Sequence, residues 1–257
     1  MISNQDIAEW GLEHPWQDAD QVEQDLLLSQ AMCAVANHRY LSKELRLRGG
    51  TAFHKLFMPE PYRYSEDLDY VRATAGGIGD VMKALTAMGR NLGYDVRTSM
   101  QRHPKVFWRF ERASGLIGKI KIEIDTYERS PMLEPCVVSH RVANGYCEAF
   151  AEVPTFQVEE LVATKIRALY QRSKGRDLYD IWLALHVLGV APEAILAAFP
   201  AYRPDGMTRA KLERNLAAKL EDPGFRSDVE VLRRRDSPAY DAREAGLLVL
   251  GELVGRL

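Results

Sequence analysis

The hydrophobic pattern of the chain changes its period near residue 155, and this change limits the fold more than any other sequence feature. Before it, segments such as KVFWRFERA and GKIKIEIDTYE alternate polar and apolar residues, which is typical of half-buried β-strands. After it, apolar residues recur every three to four positions, which is typical of helices. The sequence therefore predicts a mixed α/β domain over residues 1–155 and a helical domain over residues 156–257.

Turn-forming residues divide these two domains into elements. In the first domain the pattern predicts a helix over 18–45, a short helix between Gly49 and Pro59, a strand at DLDYV, a helix near 78–92, the two strands quoted above and short strands between 131 and 155. In the second it predicts helices over 158–172, 176–188, 192–199, 207–221, 226–235 and 239–256.

The charge balance and the cysteines exclude several classes of protein. The chain has 34 Lys and Arg against 36 Asp and Glu, which excludes a uniformly basic coat for nucleic acid. Its three cysteines form no CxxC pair, which argues against a zinc cluster or a disulfide framework and fits a reducing cytoplasm. No apolar run reaches the ~18 residues that span a bilayer, and the acidic start is unlike a secretory signal. We expect a cytoplasmic protein without a membrane partner.

Asp67 and Asp69 lie two positions apart in the DLDYV strand. Side chains at this spacing share one face of a strand, with Cα atoms roughly 6.5 Å apart. Two carboxylates placed in this way can converge on one cation that prefers oxygen ligands, such as Mg²⁺. For an isolated DxD, a solvent-exposed strand face is the commoner explanation.

Gly49, Gly50 and Thr51 precede this strand. Glycines at a helix start let a ligand approach the backbone, whose free N–H groups favour a phosphate, and the threonine can donate to that phosphate. Taken alone, a tight turn into a helix is the simpler interpretation. Together with the DxD on the next strand, the turn indicates a site for a triphosphate and its metal ions.

Glu123 and Asp125 lie on the polar face of the KIKIEID strand, opposite three isoleucines. An acid on this strand is a natural third ligand for a metal pair held by Asp67 and Asp69. A strand in which lysines pair with glutamates across neighbouring strands explains the same pattern. The pattern alone does not decide between these two interpretations.

Two segments combine basic residues with other groups of interest. In KIRALYQRSKGRDLYDIW, Lys165 borders an apolar helical stripe from which it can reach a phosphate, and Asp177 is either functional or a first-turn helix acid. The basic stretch between them also fits a solvated face. In RHPKVFWRFER, residues 102–112, aromatic and basic side chains alternate in a mixture that suits stacking on nucleotides, although strand aromatics are more often core.

Four of these motifs, in order, are similar to those of the AbiEii/AbiGii nucleotidyltransferase-like toxins: GGTAFHKLF, RYSEDLDY, KIEID, and ELVATKIRAL with GRDLYDIW. These are toxins of type IV toxin–antitoxin and abortive-infection systems, with mycobacterial tRNA-modifying relatives. The resemblance covers roughly residues 45–190. The fold that it implies is α+β, with a polymerase-β-like nucleotidyltransferase core and a C-terminal helical domain.

The resemblance also implies how the nucleotide is held. Gly49, Gly50 and Thr51 correspond to the phosphate-binding turn, Ser65 to the motif serine, and Lys165 to the lysine that contacts the triphosphate. Classical nucleotidyltransferases usually have GS where this chain has GG. Thr51 or Ser65 would therefore replace the missing serine hydroxyl.

The same comparison of motifs implies the catalytic residues. Asp67 and Asp69 match the metal-binding acids, and Glu123 stands where the family has its third carboxylate, with Asp125 as a variable neighbour. Asp177 matches the RDxxD aspartate, to which the family assigns a catalytic role. The cofactor implied is Mg²⁺ in a two-metal site, with Mn²⁺ as a substitute.

The function implied is that of a toxin which transfers nucleotides from a nucleoside triphosphate to RNA, at the 3′ end of tRNA, and so arrests growth. A cognate antitoxin encoded nearby is the implied protein partner. Two alternatives stay open: a toxin that binds a nucleotide or RNA without transfer, and a nucleotidyltransferase that modifies a small molecule. The intact DxD argues against the first alternative, and the second shares the core chemistry of the transferase.

Overall fold

The structure, a computed structural model that describes residues 2–257, divides into two units whose main boundary follows Phe156. The first unit runs to Pro131 and includes Pro135–Phe156. The second contains Met132–Glu134 and Gln157–Leu257. Among the described residues, no helix combines the length and the apolar character needed to cross a bilayer.

A seven-stranded mixed sheet forms the centre of the first unit, in the order β3-β4-β5-β2-β1-β7-β6. The strands are β1 (Leu45–Arg48), β2 (Asp67–Arg72), β3 (Asp95–Ser99), β4 (Lys105–Glu111), β5 (Ile117–Asp125), β6 (Cys136–Ala143) and β7 (Glu148–Thr155). β2 is parallel to β5 and β1 is parallel to β7, while the other neighbours are antiparallel. This mixed sheet with its helices confirms the α+β fold class.

The helical segments of the first unit lie between these strands. They are α1 (Asn4–Glu13), α2 (Ala19–Asn37), α3 (Leu41–Glu44), α4 (Gly49–Ala52), which continues as a π-helical segment (Phe53–Phe57), and α5 (Gly79–Asn91). Asp18 caps α2 by accepting from the Gln21 N–H at 2.8 Å. α2 packs against β7 and buries Leu26, Leu28 and Met32 completely.

The prediction of one helix over residues 18–45 is wrong. α2 ends at Asn37, where the His38 ring nitrogen accepts from the Leu41 N–H at 3.2 Å and turns the chain. The segment Leu45–Arg48 then pairs with β2 on one side and β7 on the other, so it forms a strand in the middle of the sheet. Tertiary pairing has overridden a helical period here.

The edge strand β3 was not predicted. Its sequence DVRTS lacks the apolar alternation that identified β4 and β5, and most of its residues are exposed. Pairing with β4 over five positions defines it instead.

The second unit is helical, as its period indicates. Its helices are α6 (Val158–Gln171), α7 (Gly175–His186), α8 (Pro192–Ala198), α9 (Arg209–Glu221), α10 (Pro223–Ser227) and α11 (Ala242–Glu252), with 3-10 turns at Phe199–Ala201 and Val254–Arg256. α7 packs between α6 and α11, and its Leu178, Tyr179 and Ile181 are fully buried.

The helix predicted over residues 226–235 is largely absent, because α10 ends at Ser227 and turns follow. Arg233 holds these turns by donating to the Pro238 carbonyl oxygen at 2.6 Å, and its guanidinium lies 5.7 Å from the ring centroids of both Tyr179 and Tyr240. α11 starts only at Ala242, after an N-cap at Asp241.

Candidate active site

The first group of candidate residues lies on the two parallel neighbours β2 and β5. Asp69 is in register with Glu123, and Asp67 is in register with Lys121. Leu68 alternates with the two aspartates and is fully buried, so the carboxylates point to the opposite, polar face of the sheet. The sheet thus brings Asp67, Asp69 and Glu123 to one face.

Lysines on the same face pair with two of these carboxylates. The Lys121 Nζ lies 2.7 Å from Asp67 Oδ2 and 3.5 Å from Glu123 Oε2, and the Lys105 Nζ lies 3.3 Å from Glu123 Oε2. Burial alone would lower the pKa of Lys121, but the bond to Asp67 and the surrounding acids raise it, so the ammonium stays charged. The lysine–glutamate pairing left open by the sequence is therefore present. The sequence predicts no role for Lys121, because the alternation does not show that β2, with Asp67, lies beside β5.

Asp69 stands apart from the other two carboxylates. It is partly buried, and its side chain has no hydrogen bond or ion pair to any residue within 2–257. Burial and the neighbouring Asp67 charge raise its pKa, and burial likewise raises that of Asp67 in spite of Lys121. A partly buried carboxylate without a partner, beside a second one, is a site at which a cation would be stabilised.

Gly49 forms the side of this site. Its φ of +80° is in the left-handed region, and a Cβ added to it would lie 2.8 Å from Asp69 Oδ2. Only glycine fits both conditions. The adjacent Arg48 donates to Asp125 at 2.8 Å, which ties the end of β1 to the end of β5.

Asp125 has a structural environment. It accepts from the backbone N–H groups of Tyr127 and Glu128 at 2.7 and 3.2 Å in addition to Arg48. Burial alone would raise the pKa of Asp125, but these N–H groups and the Arg48 charge lower it. Its donors are already supplied by the protein, in contrast to Asp69.

The other residues of the predicted phosphate-binding turn are linked to each other. The buried Thr51 hydroxyl donates to the Asp67 carbonyl oxygen at 2.5 Å and lies 2.9 Å from Ser65 Oγ. Its donor capacity is used within the protein, whereas Ser65 keeps partial exposure. A Cβ at Gly50 would meet the Arg63 guanidinium and lie 3.1 Å from Ser65 Oγ.

The sequence patterns alone do not single out Arg63 as a site residue. It is 4% exposed, donates to the Tyr64 carbonyl oxygen at 3.0 Å, and its guanidinium lies directly against Gly50. It brings a fixed positive charge to the predicted phosphate-binding turn. Its position within the quoted RYSEDLDY motif was the only available signal.

The acids fit a divalent cation only in part. Among residues 2–257, no three His, Cys, Asp or Glu side chains are arranged to hold a metal ion. The Lys121 ammonium instead pairs with both Asp67 and Glu123, at 2.7 and 3.5 Å. Asp67 and Asp69 nevertheless supply hard oxygen donors, and the position next to them already holds a positive group. The chemistry of this pair of carboxylates fits Mg²⁺ or Mn²⁺.

The remaining candidates, Lys165 and Asp177, lie in the second unit and meet each other there. Lys165 Nζ lies 2.8 Å from Asp180 Oδ2 and 3.7 Å from Asp177 Oδ1, and Arg172 binds Asp177 with two hydrogen bonds of 2.7 and 2.8 Å. Both aspartates are fully buried, and Lys165 is 6% exposed. The lysine predicted on a triphosphate is thus paired with two buried carboxylates.

The segment around α10 holds the start of α7, on which Asp177 lies. A Cβ at Gly175 would collide with the Phe225 carbonyl oxygen, and the Asp228 carboxylate accepts from the Arg176 N–H at 3.3 Å. Neither contact was predicted, because each joins positions about fifty residues apart.

Comparisons with known proteins agree with this architecture. A family model described as "Nucleotidyl transferase AbiEii toxin, Type IV TA system" matches residues 30–246. No curated protein sequence matches the chain.

Solved structures extend the comparison to the fold. MenT4, a nucleotidyltransferase toxin from Mycobacterium tuberculosis H37Rv, is similar with a TM-score of 0.50 and 17% identity, over 97% of this chain and 99% of that chain. An antigenic nucleotidyltransferase-like protein from Paracoccidioides brasiliensis has a TM-score of 0.47 and 18% identity, over 84% and 94% of the two chains. The likeness to MenT4 supports a nucleotidyltransferase-like fold.

Proposed function

Because the chain belongs to the AbiEii family of nucleotidyltransferase toxins of type IV toxin–antitoxin systems, we propose that it transfers a nucleotide to RNA with Asp67 and Asp69 as its metal ligands. The family identified by the model match is thus the one that the sequence motifs resemble. Membership implies a nucleoside triphosphate as substrate and an antitoxin as partner. The RNA acceptor, in particular the 3′ end of tRNA, and growth arrest as the outcome are part of the proposal.

The observation that carries this proposal is the environment of Asp69. A carboxylate that is partly buried, has a raised pKa, lacks a protein partner and adjoins a second carboxylate is stabilised by a cation. Two Mg²⁺ ions held by Asp67, Asp69 and Glu123 would neutralise charge on the triphosphate and the departing pyrophosphate. A tRNA acceptor would place this activity in the cytoplasm.

We propose that the protein positions the triphosphate through the turn at Gly49 and Gly50. The missing Cβ atoms make room for the Asp69 carboxylate at Gly49 and for the Arg63 guanidinium at Gly50, and this guanidinium would offer the phosphates a positive partner beside the turn. Thr51 holds the turn against β2 through its bond to the Asp67 carbonyl oxygen. Ser65 has the accessible hydroxyl and would replace the serine that the GG turn lacks.

For Lys165 and Asp177 the roles implied by the resemblance also belong to the proposal: contact with the triphosphate and removal of the proton from the acceptor hydroxyl. These roles are supported by the fact that burying charged groups such as Lys165, Asp177 and Asp180 costs free energy, which a chain need not spend on stability alone. Apolar residues of similar volume would often be as stabilising there as a buried ion pair. A purely structural cluster is the competing interpretation, and it predicts stability effects without a specific loss of rate.

Transfer of label from an α-labelled nucleoside triphosphate to purified tRNA, in the presence of Mg²⁺, tests the function. We expect incorporation by the wild type and a loss of more than about tenfold, ~1.4 kcal/mol in the barrier, in Asp69→Asn. Asp80→Asn, which removes an exposed acid on α5, is the matched control and should keep the wild-type rate.

The same assay separates the alternatives. Within residues 2–257 no three acids are arranged around one metal position, and this favours, as a second candidate, a toxin that binds its nucleotide without transfer. That candidate requires triphosphate binding with no pyrophosphate release. Label on an aminoglycoside but not on tRNA would support the small-molecule enzyme. Absence of transfer to any acceptor at high enzyme excess would refute the transferase proposal.

A further inference from the structure

The polar face that carries Asp67 continues across three more strands. Asp67 is in register with Lys121 on β5, Lys121 with Phe107 on β4, and Phe107 with Arg97 on β3. Paired residues of neighbouring strands point to the same face. Since strands lie 4.7–4.9 Å apart, the Phe107 and Arg97 Cα atoms lie about 10 and 14 Å from that of Asp67.

Basic side chains surround Phe107 on this face. Lys119 Nζ lies 5.9 Å from the centroid of the Phe107 ring, and Arg109 is in register with Lys119. Arg97 and Arg109 are 68% and 42% exposed. Both face the same carboxylate, that of Asp95, at 3.5 and 3.4 Å. Asp95 therefore pairs with two of the three cations around Phe107, and Lys119 adds a further positive charge in a chain whose net charge is −2.

The two sides of β4 differ in what their aromatic residues do. Trp108 points to the opposite face, is fully buried and donates to the Leu85 carbonyl oxygen at 3.1 Å, so it belongs to the core. Phe107 is only partly buried and lies among cations on the open face. An aromatic ring beside basic side chains offers a base a stacking surface and its phosphates a charge partner.

We propose that Arg97, Phe107, Arg109 and Lys119, the basic strand face, bind a single-stranded stretch of the RNA acceptor. This inference rests on the proposed function, since it assigns a surface to its acceptor. A nucleobase stacks on the Phe107 ring, and the side chains of Arg97, Arg109 and Lys119 contact the adjoining phosphates. The distance of about 10 Å to Asp67 equals roughly three stacked-base steps of ~3.4 Å. An RNA end that runs from Phe107 past Lys121 therefore reaches the Asp67 carboxylate.

Binding of a fluorescein-labelled, single-stranded 12-nucleotide RNA, followed by fluorescence anisotropy without triphosphate or metal, tests this surface. We expect Phe107→Leu to weaken binding about tenfold, because an aliphatic side chain does not stack. Phe107→Tyr keeps the ring and should bind as the wild type does. Equal melting temperatures of the two variants show that the fold is retained.

The phosphate contacts are tested by salt dependence. The double variant Arg97→Gln/Arg109→Gln should lower the slope of log K against log salt by about 1.4, at ~0.7 per lost contact to a single strand. Arg141→Gln is the matched control, because this arginine on β6 is about as exposed as Arg97 and also pairs with an acid, Glu148. It should leave both the affinity and the slope unchanged.

The outcomes are distinct from those of the transfer assay. Unchanged RNA binding in Phe107→Leu and in the double variant would overturn the basic strand face, even where the wild type transfers nucleotide to RNA. Variants that keep RNA binding and lose binding of the antitoxin would assign this face to a protein partner and overturn the proposal as well. Failure of the proposed function itself is seen as absent incorporation by the wild type.

Discussion

Replacing Lys121 by methionine tests how the carboxylates of β2 and β5 accept a cation. Lys121 contacts Asp67 at 2.7 Å and Glu123 at 3.5 Å, so its ammonium already neutralises two of the carboxylates that would hold a metal ion. Methionine keeps most of the length and volume of the side chain but has no charge. We therefore expect Lys121→Met to bind divalent cations more tightly than the wild type.

The size of the effect follows from the contacts that a cation must displace. A hydrogen bond between charged groups contributes about 1.5–3 kcal/mol. The lower end applies here, because Lys121 and Asp67 are 25% and 30% exposed and the released ammonium is solvated again. A gain of ~1.4 kcal/mol corresponds to a tenfold lower dissociation constant.

Titration of Mn²⁺ followed by electron paramagnetic resonance, without nucleotide, measures this constant directly, and Mg²⁺ competition extends it to the physiological ion. Lys105→Met is the control, since Lys105 contacts Glu123 at 3.3 Å and makes no ion pair with Asp67 among residues 2–257. It should change the affinity less. Equal or weaker Mn²⁺ binding by Lys121→Met would refute the reasoning, because Lys121 would then not compete with the cation.

Three further predictions concern other parts of the chain. Gly49→Ala should lower the free energy of unfolding by about 1–2 kcal/mol in urea titrations, since alanine is strained at a φ of +80° and its Cβ would contact Asp69; unchanged stability would contradict this. Asp177→Asn should lower the free energy of unfolding by about 2 kcal/mol, because Arg172 loses its charged partner and Lys165 loses one of its two. If Asp177 is the general base, the same variant should also lower the single-turnover rate roughly 10²–10⁴-fold. Asp180→Asn is the control, which should lose stability without this loss of rate. Burial lowers the pKa of His140 to about 4, so its neutral form stabilises the fold above the unfolded pKa of 6.5, and this contribution is lost as pH falls toward 4. Between pH 7 and pH 5 the free energy of unfolding should fall by about 2 kcal/mol more in the wild type than in His140→Phe.

The local elements of the site were predictable because their signals are local. Alternation in KIKIEID determined β5 and its buried isoleucines, and DLDYV determined β2. Each pattern also gave the face on which the acids lie. The helical period likewise identified α6 and α7, on which Lys165 and Asp177 lie.

The partners of these residues were not predictable, because they come from other elements. That Lys121 contacts Asp67 depends on β2 and β5 being parallel neighbours in one particular register. The same applies to Lys165, whose position beside an apolar stripe was visible but whose burial against Asp180 depends on the packing of α6 on α7. β3 completes the open face, yet its polar sequence has no strand signal without β4.

The two parallel pairs at the centre of the sheet also determine when the site can exist during synthesis. β1 pairs with β7 through Leu47 and Thr155, and β2 pairs with β5 through Asp69 and Glu123. Such contacts between distant segments form late, after the loops between them have closed. A ribosome that has made β2 has therefore made the two aspartates but not the strand that faces them. The nascent chain stays without an assembled site until β5 has emerged, and β1 stays half-paired until β7 follows, so a product truncated before β5 would carry Asp67 and Asp69 without Lys121 and Glu123 beside them.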